Sequence, residues 1–278
     1  MSKRKLTIEE IHKLETALID VTHKICKEHN IKYSLICGSV LGAVRHGGPI
    51  PWDTDADLEV PYDIFDEFCE ILIKEMPEWC ELDGYKNQPN YHRFFPRICV
   101  RNVDSAILHV DIFPQVGIPD TYEEQLKYSK KSDRLKKIYY YKSIAVGTHP
   151  YKSRNKLIQF VKRVIRVMMK IVLLPLSLER VYKISEKHFT KYKYKDSKYV
   201  MNPAGHYGMK NVLDKKYFED LIEVNYDGIK VNIPKDYETY LTHYYKDWHT
   251  PISVEQQQKD LDVEVWVDED FDVSAICK

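Results

Sequence analysis

Apolar and polar positions follow two periods along this chain, and each period marks an element. Ile11, Leu14, Ala17, Leu18, Val21 and Ile25 recur at helical spacing, which gives a helix one apolar face. Thr7 and Glu10 stand at its start with the spacing of a capping box. This helix is expected to pack on a sheet, with His12 and His23 at the surface or rim. Residues 31–37 are a short, mostly apolar run before a glycine and predict a strand. Gly38-Ser39 then turns the chain, residues 40–45 begin a helix, and Gly47-Gly48-Pro49 ends it, because glycine and proline continue a helix only at a cost. Residues 53–60 alternate carboxylates with other side chains, the period of a strand. Further strands are predicted over residues 80–84, 94–100 and 106–113, with a turn at 101–105. Helices are predicted over residues 61–74, 122–142, 155–174, 178–194 and 234–245. The Asp227-Gly228 dipeptide between apolar runs signals a hairpin.

The alternation at residues 53–60 carries chemistry. Asp53, Asp55, Asp57 and Glu59 share one side of that strand, and Ala56, Leu58 and Val60 share the other. A row of like charges is costly unless a cation holds it. Hard divalent cations take oxygen ligands and leave room for substrate phosphates. Gly38 lets a phosphate approach the backbone, and the free N–H groups of a helix start attract anions. The competing reading is a water-exposed acidic edge strand. The flanking apolar residues and the preceding Pro51-Trp52 argue against it, and Trp52 is expected in the core beneath the strand. Arg45 and His46 end the short helix near the expected phosphates. Arg grips phosphate bidentately, although a cation there also suits the helix dipole. Asp111 lies between Val110 and Ile112. A lone acid in an apolar strand needs a partner, either a metal or a base such as Arg97.

Composition changes this picture in three places. Among 278 residues, 42 Lys/Arg balance 42 Asp/Glu, so net charge names no partner. Residues 121–200, however, hold 21 Lys/Arg against 6 Asp/Glu. That excess suits an anionic polymer, a membrane surface, nucleic acid or plain solvation. No nucleic-acid motif accompanies it, so nucleic acid is not expected as a partner. The 6 cysteines show no Cys-x-x-Cys spacing, which disfavours zinc and suits buried free thiols. The N-terminus lacks the apolar core of a signal peptide. The expected setting is the cytoplasm, with the inner face of the membrane as a further option. Residues 155–174 are the most apolar run, yet Lys162, Arg163, Arg166 and Lys170 interrupt it, which argues against a span. That run is expected either to pack in the protein with its basic side out or to lie peripherally on a membrane.

The run from Gly38 to Asp57, Gly-Ser-Val-Leu-Gly-Ala-Val-Arg-His-Gly-Gly-Pro-Ile-Pro-Trp-Asp-Thr-Asp-Ala-Asp, resembles the signature of the LicD family. These are phosphocholine transferases of bacterial surface polymers, similar to the fukutin-type ribitol-phosphate transferases within the nucleotidyltransferase superfamily. Val110-Asp-Ile-Phe-Pro, Tyr207-Gly-Met-Lys and Tyr244-Tyr-Lys-Asp-Trp also resemble the family. The chain departs from it at Lys246, where the family usually has glycine.

The resemblance implies an α+β fold: a nucleotidyltransferase-like mixed β-sheet flanked by helices, with a largely helical C-terminal part. It implies a catalytic core over residues 1–120, a basic helical region over 121–200, and a part completing the domain over 201–278. It further implies Mg²⁺ or Mn²⁺ on Asp53, Asp55, Asp57 and Asp111, with Asp55, Asp57 and Asp111 catalytic, and Gly38, Ser39, Arg45 and His46 binding substrate. The expected donor is CDP-linked, CDP-choline first. The expected acceptor is a glycan, a lipid-linked glycan or a teichoic-acid precursor. Nucleotidyl transfer with release of pyrophosphate, and transfer of ribitol or glycerol phosphate, stay open. A non-catalytic binding protein is disfavoured by the intact carboxylates, and a metal-dependent glycosyltransferase by the Gly-Ser spacing.

Overall fold

A computed structural model describes residues 2–84, 91–103, 107–144, 156–261 and 264–277. Asp104, Ser105, Ala106 and Asn155, where the sequence sets the end of a turn and the starts of a strand and a helix, lie outside the described residues. Strand β1 (Lys3–Lys5) leads into α1 (Ile8–Glu28). The predicted capping box is present: Glu10 N–H donates to Thr7 Oγ1, and Thr7 N–H donates to Glu10 Oε2. The buried face of α1 includes Ile11, Leu14, Leu18, Ile19 and Ile25. His23 departs from the expectation of a rim position. It is buried, with Nδ1 2.8 Å from Tyr33 Oη.

After β2 (Ser34–Leu35), α2 (Cys37–Leu41) runs into a wider π turn over Gly42–His46. The helix thus begins before Gly38 and Ser39 rather than after them. Cys37 makes the turn itself, with a left-handed φ of 46°. Then come β3 (Asp55–Pro61), α3 (Phe65–Glu75), β4 (Cys80–Asp83), β5 (Arg97–Val100) and β6 (His109–Ile118). The helices α4 (Tyr122–Ser143), α5 (Lys156–Val172) and α6 (Leu178–Phe189) make the middle of the chain helical, as expected. The last part mixes β7 (Tyr199–Met201), β8 (Leu213–Asp214), α7 (Lys216–Glu219), β9 (Leu221–Tyr226), β10 (Ile229–Pro234), α8 (Tyr237–Tyr245), α9 (Val254–Asp260), β11 (Trp266–Asp268) and α10 (Val273–Ile276).

The main sheet is mixed, in the order β2-β3-β6-β5-β4, and it continues through β7 and β8 beside the far half of β6. Only β3 and β6 run parallel. Their register sets Asp55 beside His109 and Asp57 beside Asp111. Ala56, Leu58, Val60, Val110 and Ile112 occupy the other face, all fully buried in the core with Leu14 and Leu18 of α1 and Phe68 of α3. The sheet is therefore apolar on the side of α1 and carries its acids on the other. The β9–β10 hairpin turns at Asp227 and Gly228, both with positive φ (47° and 88°), the geometry of a type I′ turn. Its tip docks on the end of the π turn, where Asp227 N–H donates to the Gly47 carbonyl at 2.6 Å.

Gly117 of β6 is a point of contact that tolerates no side chain. A Cβ there would overlap Ser197 Oγ and the Lys193 carbonyl oxygen. Gly117→Ala is expected to cost about 1–3 kcal/mol, lowering the melting temperature by roughly 2–10 °C in a thermal melt.

Candidate active site

The site forms where the start of α2 meets the acidic face of β3. Cys37 N–H donates to Tyr240 Oη of α8 at 3.0 Å, which fixes the left-handed turn. Ser39 then lies over β3, and Asp57 N–H donates to its Oγ at 2.8 Å. Gly38 is a wall of the cleft: a Cβ there would stand 3.6 Å from Asp53 Oδ2 and 3.9 Å from Tyr245 Oη. A Cβ there would thus be in van der Waals contact with the Asp53 carboxylate. Of the aromatics late in the chain, Tyr245 is brought to Gly38 by its hydroxyl. Tyr207 stands close to Tyr245, and burial raises both phenols above their ordinary range.

Asp55, Asp57 and Glu59 share one face of β3 as expected, whereas Asp53 lies just ahead of the strand, against Asp55. Asp53, Asp55 and Asp57 are partly exposed, whereas Glu59 and Asp111 are buried. Asp53 is anchored through its backbone, whose carbonyl lies 2.8 Å from His12 Nε2. Burial and the neighbouring Asp55 push the Asp53 carboxyl up from its ordinary range. Burial, then Asp55 and Asp111, raise Asp57 well above it. Burial opposes the charge on Asp55 too, but His109, together with Asp53 and Arg97, outweighs it and holds that carboxyl low. Glu59 is pushed up to about 8 by burial, and accepts from Gln115 Nε2 at 2.7 Å.

Asp111 stands in the expected place, and its partner is the base that the sequence offered as the alternative to a metal. Arg97 Nε donates to Asp111 Oδ1 at 2.6 Å, with Arg97 Nη2 3.4 Å from Oδ2. His109, missed by sequence reasoning, lies between the two strands' acids. Its Nε2 is 3.3 Å from Asp55 Oδ2 and 3.4 Å from Asp111 Oδ1. It is buried, and neither ring nitrogen completes a hydrogen bond among the described residues. The signal for it was the same alternation that exposed Asp111, two residues on. Arg45 and His46 close the other end of the helix. Arg45 Nη1 donates to the Trp248 carbonyl at 2.9 Å and its Nε to His46 Nε2 at 3.0 Å. Trp52, expected in the core, is half-buried and stands edge-on to His46.

No group of three or more His, Cys, Asp or Glu side chains is arranged to hold a metal ion among the described residues. The donor set nevertheless fits Mg²⁺ or Mn²⁺. Mg²⁺ keeps several waters and needs only one or two protein carboxylates beside a substrate phosphate. Asp55 and Asp57, hard oxygen donors side by side under mutual repulsion, meet that need. All six cysteines are free thiols, and Cys37, at the start of α2, is the one whose thiol lies near Asp57 and Glu59. An apolar cavity of about 110 Å³ lined by Tyr62, Phe65, Phe94 and Tyr182 among others includes none of these carboxylates.

Comparison with known proteins agrees with this architecture. Residues 30–152 match the family described as LicD/FKTN/FKRP, nucleotidyltransferase domain. The matched stretch includes Gly38, Ser39, Asp53, Asp55, Asp57 and Asp111. It is also 25% identical, over 92% of its length and 96% of the relative's, to the lipopolysaccharide cholinephosphotransferase LicD of Haemophilus influenzae. An uncharacterized protein of Rickettsia prowazekii is 33% identical over 46% of this chain and 47% of its own length.

Behind the row, Glu15 of α1 is buried with Oε1 accepting from Tyr226 Oη at 3.0 Å. Its Oε2 makes no hydrogen bond among the described residues. Burial raises its carboxyl well above the usual range, helped by Asp53 and Asp55. A raised folded-state value means that the folded chain holds a proton the unfolded chain releases, so stability falls as pH rises past the ordinary Glu value. Glu15→Gln is expected to melt near the wild-type temperature at acid pH and several degrees above it at alkaline pH, read from thermal melts across that range.

Proposed function

We propose that the protein is a transferase that moves a phospho-alcohol group, phosphocholine first, from a CDP-linked donor to a hydroxyl of a surface glycan. The observation that carries this reading is the alignment of Asp57 with Asp111 across the parallel strands, with Asp55 on the same face and Ser39 bound to the backbone of Asp57. The lipopolysaccharide cholinephosphotransferase, similar along nearly the whole chain, favours phosphocholine as the group and a lipid-borne glycan as the acceptor.

Phosphoryl oxygens repel an incoming nucleophile, so catalysis of this transfer is mostly positioning and charge compensation. A divalent cation of the Mg²⁺ kind, when bound, supplies that compensation on the donor diphosphate. Asp55 and Asp57 are the residues that would hold it, with Asp53 and Asp111 flanking them. Gly38 leaves room for the diphosphate beside Asp53, and Ser39 fixes the strand backbone under it. The acceptor hydroxyl attacks the distal phosphorus, the bond from that phosphorus to the CMP oxygen breaks, and the hydroxyl proton passes to a carboxylate of the row. Arg97 keeps Asp111 oriented. Tyr245, its hydroxyl near Gly38, borders the donor side, with Tyr207 beside it.

Incubation with Mg²⁺, a glycan acceptor fraction and, in turn, CDP-choline, CDP-ribitol, CDP-glycerol or CTP is expected to release CMP from CDP-choline. Asp57→Asn is expected to slow that release by about a hundredfold or more without lowering the melting temperature. CMP from another CDP-linked donor would change the group transferred. Pyrophosphate from CTP would instead make the protein a nucleotidyltransferase.

A further inference from the structure

Helix α5 packs with the opposite side out from the one its sequence suggests for a helix within a protein. Arg166, on its basic side, is buried, as is Leu173 just past its end. The apolar side faces outward: Phe160 is 64% exposed, Met168 61%, Ile171 60% and Val172 68%. At 100° per residue these four, with Val161 and Val164, form one continuous arc opposite Arg166. Lys142 Nζ of α4 donates to the Leu173 carbonyl at 3.0 Å and ties down this end of the helix. Eleven of the nineteen large hydrophobic side chains exposed among the described residues fall between Leu157 and Leu174. They make a patch rather than scatter, and such a patch marks an interaction surface.

Charge selects the occupant. Lys162 and Arg163 are both exposed and stand at the two borders of the arc. The surrounding residues 121–200 carry 21 Lys/Arg against 6 Asp/Glu. An anionic bilayer meets both features at once, with an acyl boundary for the arc and phosphates for its basic borders. No helix among the described residues is long and apolar enough to cross a membrane, so the contact is one of lying on the surface. We propose that α5 docks in the plane of an anionic phospholipid bilayer, its apolar arc at the acyl boundary and Lys162 and Arg163 on headgroup phosphates. The docking needs no part of the transfer chemistry. Its connection to the site runs through α4, whose Lys136 Nζ donates to the Gly205 carbonyl, near Tyr207.

The test is co-sedimentation of the full chain with vesicles of phosphatidylcholine alone and of phosphatidylcholine with phosphatidylglycerol at about 3:1. Binding is expected to be about tenfold or more stronger on the anionic vesicles and to weaken between ~0.05 and ~0.5 M salt. The Met168→Glu/Ile171→Glu variant is expected to lose sedimentation while keeping its thermal melt. The Lys162→Glu/Arg163→Glu variant is expected to lose the preference for anionic lipid. A chain that stays in the supernatant with both vesicles would overturn the proposal, as would binding indifferent to lipid charge. A dimer in light scattering that Met168→Glu/Ile171→Glu dissociates would assign the arc to a second copy and overturn it as well.

Discussion

Asp57 and Asp111 stand opposite one another on adjacent parallel strands, and Asp55 and Asp53 continue the row. Charges of one sign this close, and partly or wholly out of water, raise the free energy of the folded chain unless something positive stands among them. Much of the local architecture answers that constraint. Arg97 forks onto Asp111 from β5, and His109 reaches both Asp55 and Asp111. What these two bases leave uncompensated is the Asp57 end of the row, where burial and two neighbouring carboxylates oppose its ionisation. That residual is what the proposed divalent cation and phosphate donor would compensate.

The surrounding fold holds the cleft in shape at the points where the backbone is least ordinary. Cys37 turns left-handed to start α2, and the hydroxyl of Tyr240 secures its N–H. The helix widens into a π turn at Gly42–His46, and the tip of the β9–β10 hairpin clasps Gly47. Residues from the last third of the chain therefore set the geometry of the first. The same part of the chain supplies Tyr207 and Tyr245 to the cleft and, through β7, a strand beside β6. The apolar outer face of α5 stands apart from this arrangement, with the helix packed inward through Arg166 and the Leu173 that follows it.

Much of this was legible in the sequence where the signal is local. The period of α1, the capping box at Thr7, the acidic alternation of β3 and the Asp227-Gly228 turn all depend on residues a few positions apart. What was not legible depends on distant partners. The start of α2 moved ahead of Gly38 because Cys37 accepts a strained φ, supported by Tyr240 some two hundred residues on. His23 moved inside because Tyr33 offers its hydroxyl. The pairing of Asp111 was read as a choice between a metal and Arg97, and only the register of β5 on β6 brings Arg97 opposite it. The orientation of α5 was the hardest to read, since amphipathicity gives a helix two faces without saying which one the protein covers.

The row of acids is proposed as a cation site completed by a phosphate donor. Calorimetric titration of Mn²⁺ into the protein, with and without CDP-choline, tests it most directly. Saturable binding is expected, tightening in the presence of the donor and lost in Asp57→Asn. Equal Mn²⁺ uptake by wild type and Asp57→Asn, or none by wild type with the donor present, would contradict it.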